Sequence, residues 1–283
     1  VAECQLHRNR PLGSLIDCRR SDCFVQTFLK RQINYSSAFQ RHGYIVLRSA
    51  FSGVALDRLR LLADFLEAAP EIAGRWMKYF ELGPGGTRLL NRVEAFLEHC
   101  PEAPAVFDNP AMHEAVFAAF GRPYVLFKEK LNLKPAGGGG YAPHQDAPAW
   151  RLLTQEAVSV MVAVDETTAE NGALQVDCEF ACGRTLLPHS HGQLVDACSI
   201  SWEALYLLPG DAVVFSAFLP HQSSPNRSRS HRRAFFLTYN ASEEGDLREV
   251  YFAHKRRVFP PEIERADTAA VAGWRSRLAR ELL

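Results

Sequence analysis

No stretch of this 283-residue chain is apolar for the about 18 residues that a membrane-spanning helix needs; the longest core-like run covers 157–164. No excess of either charge exists, since Lys+Arg and Asp+Glu both number 32, so no global field draws nucleic acid or an anionic membrane. The seven cysteines form no C-x-x-C pair and their count is odd, which disfavours a disulfide framework and fits a reducing, cytoplasmic setting. Arg8 and Arg10 are followed by no apolar stretch of the kind a secretory signal carries. Internal repeats and low-complexity linkers are also missing. The expectation is therefore a polar, basic arm over 1–34 and a single domain over 35–283.

What is present falls into two textures. Short helices are expected at 37–41, 54–68, 88–99 and 110–120, with a strand at 43–48 between the first two. Leu56, Leu59, Leu62, Ala63 and Leu66 carry the helical spacing of the second, and Asn109 and Gly121 can cap the last. After Gly121 the chain turns to short runs rich in β-branched and aromatic residues, broken by Gly and Pro. Strands are expected at 124–133, 157–164, 173–176, 204–208, 212–218 and 233–239. That pattern predicts a mainly β core over about 122–255, a sandwich or barrel with flanking helices, closed by a helix at 266–283.

Residues 137–150 read GGGGYAPHQDAPAW. In an extended segment positions i and i+2 share a face, so His144 and Asp146 project together while Gln145 points away. One imidazole and one carboxylate are two of the three ligands of a 2-His-1-carboxylate set, whose N and O donors suit Fe(II) and leave positions open for co-substrate and O₂. His221 follows a buried strand introduced by the LPGD turn at 208–211 and can face that pair across a β core. Arg232 opens the apolar run 234–239; an arginine there is costly to bury unless it meets an anion, and a dicarboxylate suits its two parallel donors. Ser223 stands close enough to His221 to add a hydroxyl to the same carboxylate.

The HQD at 144–146, NGAL at 171–174, LPGD at 208–211 and the spaced series from His221 through Ser223, Asn226 and Ser228 to Arg232 resemble the phytanoyl-CoA dioxygenase family. The resemblance spans about residues 36–255. It implies a double-stranded β-helix (jelly-roll, cupin-like), iron at His144, Asp146 and His221, and 2-oxoglutarate held by Arg232 and Ser223, with O₂ as oxidant. It also implies co-substrate roles for Lys130 and Asn132 on one strand and for Ser159 and Met161 on another. Tyr141, Gln145 and Trp150, beside the ligands, become candidate substrate contacts. Where many members carry PGSH, this chain has DCEFACGRTLLPHSHGQL after Val176, which argues against a long acyl-CoA as substrate. The segment 126–150 is similar to hydroxylases of aminoalkylphosphonates and natural products. Halogenating relatives replace the carboxylate ligand, whereas Asp146 is present, so hydroxylation or desaturation is expected.

Other readings compete. The basic run NRSRSHRR at 226–233 lacks the interleaved aromatics of a nucleic-acid surface. His189 and His191, with Cys178 and Cys182 upstream, match no zinc-finger spacing. A cupin-type metalloenzyme that does without 2-oxoglutarate would not need Arg232 and Ser223, and a non-catalytic binding protein on the same fold would be expected to have lost a metal ligand, whereas all three are present. Lys128, Lys130, Lys134 and Arg151 near the site are compatible with an anionic small-molecule substrate; oligomeric state is not encoded legibly.

Overall fold

The computed structural model describes residues 18–265 apart from residue 181, with side chains from residue 29 onward. The helix expected at 266–283 and the first half of the expected arm, residues 1–17, lie outside the described residues. In chain order the elements are α1 (Cys18–His42), β1 (Tyr44–Leu47), α2 (Val54–Ala68), β2 (Met77–Leu82), β3 (Arg88–Glu94), α3 (Ala103–Val106) and α4 (Pro110–Phe120). Then come β4 (Tyr124–Lys134), β5 (Tyr141–His144), β6 (Ala157–Ala163), β7 (Leu174–Asp177), β8 (His189–Ser190), β9 (Gln193–Leu194) and β10 (Trp202–Leu205). β11 (Ala212–Ser216), β12 (His221–Ser223), β13 (Arg232–Ala241) and α5 (Arg248–Val258) complete the fold.

Two antiparallel sheets face each other. The larger has the order β1-β11-β6-β13-β4-β3-β2, and the smaller β10-β7-β12-β5. This is the jelly-roll, or double-stranded β-helix, that the sequence predicts. The pleat of the large sheet sorts its side chains. Leu131, Leu133, Val158, Val160, Val162, Phe235 and Leu237 project outward and are buried with Leu59, Ala63 and Leu66 of α2 and Met112, Ala115 and Val116 of α4. Their alternates, Lys130, Asn132, Ser159, Met161, Arg232 and Phe236, project between the sheets. The helices thus hold the apolar face, and the opposite face is released for polar work.

Several expectations need correcting. Residues 88–94 are β3, not helix. Leu89, Leu90, Val93 and Phe96 imitate helical spacing, but the segment hydrogen-bonds to β2 on one side and β4 on the other, and that pairing prevails over local pattern. The boundary expected at 34 falls inside α1, of which the predicted 37–41 helix is the last part. The sheets also recruit β1, β2 and β3 from before residue 122, and the last strand ends at Ala241. Residues 248–258 are α5, whose charge-rich sequence hid a helix that buries Tyr251, Phe252 and Lys255. The capping of α4 is as expected: the Asn109 side chain accepts from the Met112 amide at 2.9 Å, and Gly121 is left-handed at φ 65°.

The two motif turns are structural. In LPGD, buried Asp211 accepts from the amides of Ser49 and Leu208 and pairs with Arg48 at 2.7 Å. In NGAL, Gly172 has φ +78°, and a Cβ there would stand 2.1 Å from the Ser224 carbonyl oxygen and 2.8 Å from Lys134 Nζ. The substitution Gly172→Ala is therefore expected to cost about 2–4 kcal/mol, from left-handed strain plus the forced displacement of β12's exit. Urea unfolding of the two proteins measures it.

Candidate metal and co-substrate site

β12 lies between β7 and β5, and the register sets His221 directly opposite His144. Their ring centroids are 4.1 Å apart. Asp146 reaches the same point by a different route from the one expected. β5 ends at His144, and the chain turns into a short 3-10 helix at Ala147–Ala149, leaving Asp146 helical at φ −77°, ψ −31°. The Ala147 amide donates to the Ala217 carbonyl at 2.9 Å and holds that turn. A turn, not strand alternation, therefore brings the carboxylate to the histidines.

Asp146 Oδ1 is 3.9 Å from His144 Nε2, and its Oδ2 is 4.0 Å from His221 Nε2. One donor atom from each of the three residues falls within 4.8 Å of the others, the sole such group among the described residues. Each imidazole has its Nδ1 against a main-chain carbonyl, His144 on Ala142 at 2.7 Å and His221 on Leu219 at 2.9 Å. A carbonyl accepts only from N–H, so both rings carry the proton on Nδ1 and present the Nε2 lone pair inward. Burial, reinforced by His221, pushes His144 down to about 4. Burial alone would raise Asp146, but the His221 and His144 rings and the Lys128 and Lys130 ammoniums together hold its carboxyl below the usual range. A neutral His144 beside an ionised Asp146 is the protonation state that a divalent cation requires of these two ligands.

The triad opens on a cavity of about 540 Å³, mouth included, lined also by Lys130, Asn132, Tyr141, Trp150, Ser159, Met161, Ser223 and Arg232. Of the site residues predicted from sequence, Gln145 alone is missing from that lining. It is buried, its Nε2 donates to the carbonyls of Thr185 (3.0 Å) and Phe218, and its Oε1 accepts from the Leu187 amide at 2.8 Å. Gln145 therefore braces the 185–187 loop and does not face substrate. The residues that sequence reasoning missed are Leu174, Gln222, Phe236 and Thr238. Alternation from Arg232 along β13 would have found Phe236 and Thr238. Of the four basic residues noted near the site, Lys128 and Lys130 face the cavity, Lys134 stands behind Ser223, and Arg151 is exposed.

Arg232 is 4% exposed. It donates through Nη2 to the Gly172 carbonyl at 2.7 Å, and its Nε has no hydrogen-bond partner. Burial lowers this guanidinium to about 10, and no carboxylate pairs with it. Lys134 donates to Ser223 Oγ at 2.8 Å and to the Ser224 carbonyl, so the Ser223 proton is left free to be donated elsewhere. The Asn132 Oδ1 is likewise buried without a partner. The unpaired Arg232 Nε–H and the free Ser223 hydroxyl are donors that fit a bound dicarboxylate, just as the triad fits iron, whereas Asn132 can meet a carboxylate only through its Nδ2 amide donor.

The sequence profile of the family described as phytanoyl-CoA dioxygenase (PhyH) matches residues 39–234. The chain belongs to this family. It is 37% identical over 230 residues to a 2-aminoethylphosphonate dioxygenase from Uncultured bacterium HF130_AEPn_1, covering 80% of this chain and 88% of that protein. It is 39% identical over 220 residues to a methylphosphonate hydroxylase from Gimesia maris, covering 77% and 84%. Among solved structures, EctD from S. alaskensis with 2-oxoglutarate and 5-hydroxyectoine aligns with a TM-score of 0.61 at 23% identity, over 75% of this chain and 76% of that one. The epimerase SnoN in complex with Fe3+, alpha ketoglutarate and nogalamycin RO gives 0.63 at 17%, over 75% and 84%. These two support the fold. As a member of the PhyH family with an intact triad, the chain is a dioxygenase that uses iron, 2-oxoglutarate and O₂ on a small molecule. No described helix is long and apolar enough to cross a membrane.

His144 also sets a pH dependence. With its folded value below the ordinary 6.5, the unfolded chain binds this proton between 6.5 and about 4 while the native protein does not. The metal-free protein should keep its stability above pH 6.5 and lose roughly 2–3 kcal/mol as pH falls towards 4. Urea midpoints across that window report it, and His144→Gln should flatten the curve.

Proposed function

We propose that this protein hydroxylates a C–H bond of a small organophosphonate, with His144, Asp146 and His221 holding Fe(II) and Arg232 holding the distal carboxylate of 2-oxoglutarate. The observation that carries the co-substrate assignment is the buried guanidinium of Arg232, which lacks a carboxylate partner although it lies at one end of the cavity that the triad lines. The substrate class is supported by the two phosphonate enzymes at 37% and 39% identity. A single-domain organisation that includes α1 and a cytoplasmic setting go with this reading, the latter suggested by the scattered cysteines.

Bound iron supplies the oxidising chemistry, in which O₂ and 2-oxoglutarate are consumed as succinate and CO₂ form and the substrate is oxidised. The protein's own residues do the rest. Ala142 and Leu219 lock the histidine tautomers through their carbonyls, so the ligands need no proton rearrangement before they bind. Ser223, with Lys134 donating to its oxygen, turns its own proton towards the carboxylate that Arg232 binds. Asn132 and Lys130 face the space between that clamp and the triad and orient the co-substrate there. Leu174, Phe236 and Trp150 give the cavity apolar walls that exclude bulk water from the reacting carbon.

The experiment is an anaerobic titration of the protein and Fe(II) with 2-oxoglutarate, followed by aerobic assay of small phosphonates for succinate and hydroxylated product. Removing the charge in Arg232→Gln should raise the half-saturating 2-oxoglutarate concentration about 30-fold, equivalent to about 2 kcal/mol for a charged, paired hydrogen bond, with iron affinity little changed. Succinate formation that does not respond to any phosphonate would overturn the substrate assignment. Saturation unchanged by Arg232→Gln would overturn the clamp.

A further inference from the structure

The cavity has a second cationic end that the co-substrate does not use. Lys128, Lys130, Asn132 and Lys134 alternate along the inward face of β4, where Lys134 pairs in register with Arg232 and Lys128 with Thr238. At about 3.3 Å per residue, Lys128 stands about 20 Å along the strand from Lys134. The two carboxylates of 2-oxoglutarate are separated by only three carbons, so a molecule gripped at Arg232 and reaching the triad does not extend to Lys128.

Lys128 is 7% exposed and lines the cavity. Its Nζ lies 4.0 Å from the centroid of the Trp150 ring and 5.4 Å from that of Tyr251. Among the described residues it donates no hydrogen bond and forms no ion pair. The carboxylates that could neutralise it are committed elsewhere: Glu94 pairs with Lys255 and, at 3.0 Å, with Arg92, while Asp146 belongs to the metal set. Lys130 adds a second ammonium on the same face of the strand, 4.8 Å from the Phe236 ring centroid. An aromatic face compensates an ammonium only partly for lost water, and a buried cation without a counter-charge is expensive to maintain. What compensates it fully is an anion entering from the cavity.

We propose that Lys128 is the anchor for the substrate's anionic head, with Trp150 as the platform that aims its ammonium into the cavity. The inference rests on the phosphonate reading above and deepens it, because the head group then sits at the Lys128 end and its carbon chain points back towards the triad. Discrimination between substrates becomes a matter of distance: a phosphonate fixed at Lys128 offers the triad the carbon next to phosphorus, and longer chains must fold or overshoot. Lys128 is thus a specificity-determining residue, and Arg232 serves the other anion.

The test uses the full chain loaded anaerobically with Fe(II) and 2-oxoglutarate and titrated calorimetrically with methylphosphonate and, separately, with butyrate. Lys128→Met is expected to weaken methylphosphonate binding about 30-fold or more while 2-oxoglutarate affinity, measured on the same preparation, changes less than about 3-fold. Lys128→Arg should recover most of the loss. The retained 2-oxoglutarate affinity reports that the variant's cavity is intact. Equal methylphosphonate binding by wild type and Lys128→Met would overturn the assignment, as would a parallel loss of 2-oxoglutarate, which would make Lys128 a co-substrate ligand. Wild-type protein that ignores both probes also overturns it. If butyrate binds in place of methylphosphonate and Lys128→Met abolishes that binding, the anchor stands and the phosphonate reading falls.

Discussion

The antiparallel register that sets β12 against β5 places His221 opposite His144, and the rest of the site is arranged around that pairing. Two imidazoles brought side by side inside a sheet would repel one another if both were charged. The surroundings of His144 favour its neutral form, and each Nδ1 has a main-chain carbonyl two residues upstream. With the Nε2 atoms of both rings converging, Asp146 is the one negative charge in the triad, and the chain's turn at Ala147 delivers it. A metal site is in this sense a consequence of strand pairing, completed by one helical turn.

The second constraint is charge. The inward face of the large sheet gathers several ammonium and guanidinium groups into a space that few carboxylates share, and those carboxylates are largely spoken for. Such an arrangement is held in place because the outward face of the same strands is packed against α2 and α4. Leu131 and Leu133 cannot leave the helices without dragging Lys130, Asn132 and Lys134 with them. The apolar layer thus provides the rigidity that lets an unfavourable, partly unpaired set of cations persist until anions arrive.

Much of this was legible in the sequence, and unevenly so. The convergence of His144, Asp146 and His221 and the place of Arg232 in the cavity wall were readable because chemistry fixes residue types and the motifs fix their order. Lys130, Asn132, Ser159 and Met161 were reached by resemblance, and alternation along two strands agrees with their placement. β3 was misread because a strand paired on both sides draws its stability from neighbours distant in sequence, while its own leucines mimic a helix. The helix α5 was missed for the complementary reason, that a charged segment with two adjacent aromatics shows little periodicity. Gln145 was misassigned because proximity to ligands in the chain does not tell which way a buried amide faces. Asp146 was placed correctly for the wrong reason, since i and i+2 also converge when a strand gives way to a helical turn.

The brace made by Gln145 has a consequence for how this site can diversify. All three of its hydrogen bonds end on main-chain atoms of residues 185, 187 and 218, and main-chain atoms are the same whatever side chain is attached. The loop after β7, whose Leu186 packs against the cluster that contains Trp150, can therefore exchange its side chains without losing its mooring. A residue wedged between two metal ligands keeps the frame fixed while leaving the neighbouring loop's chemistry open to change.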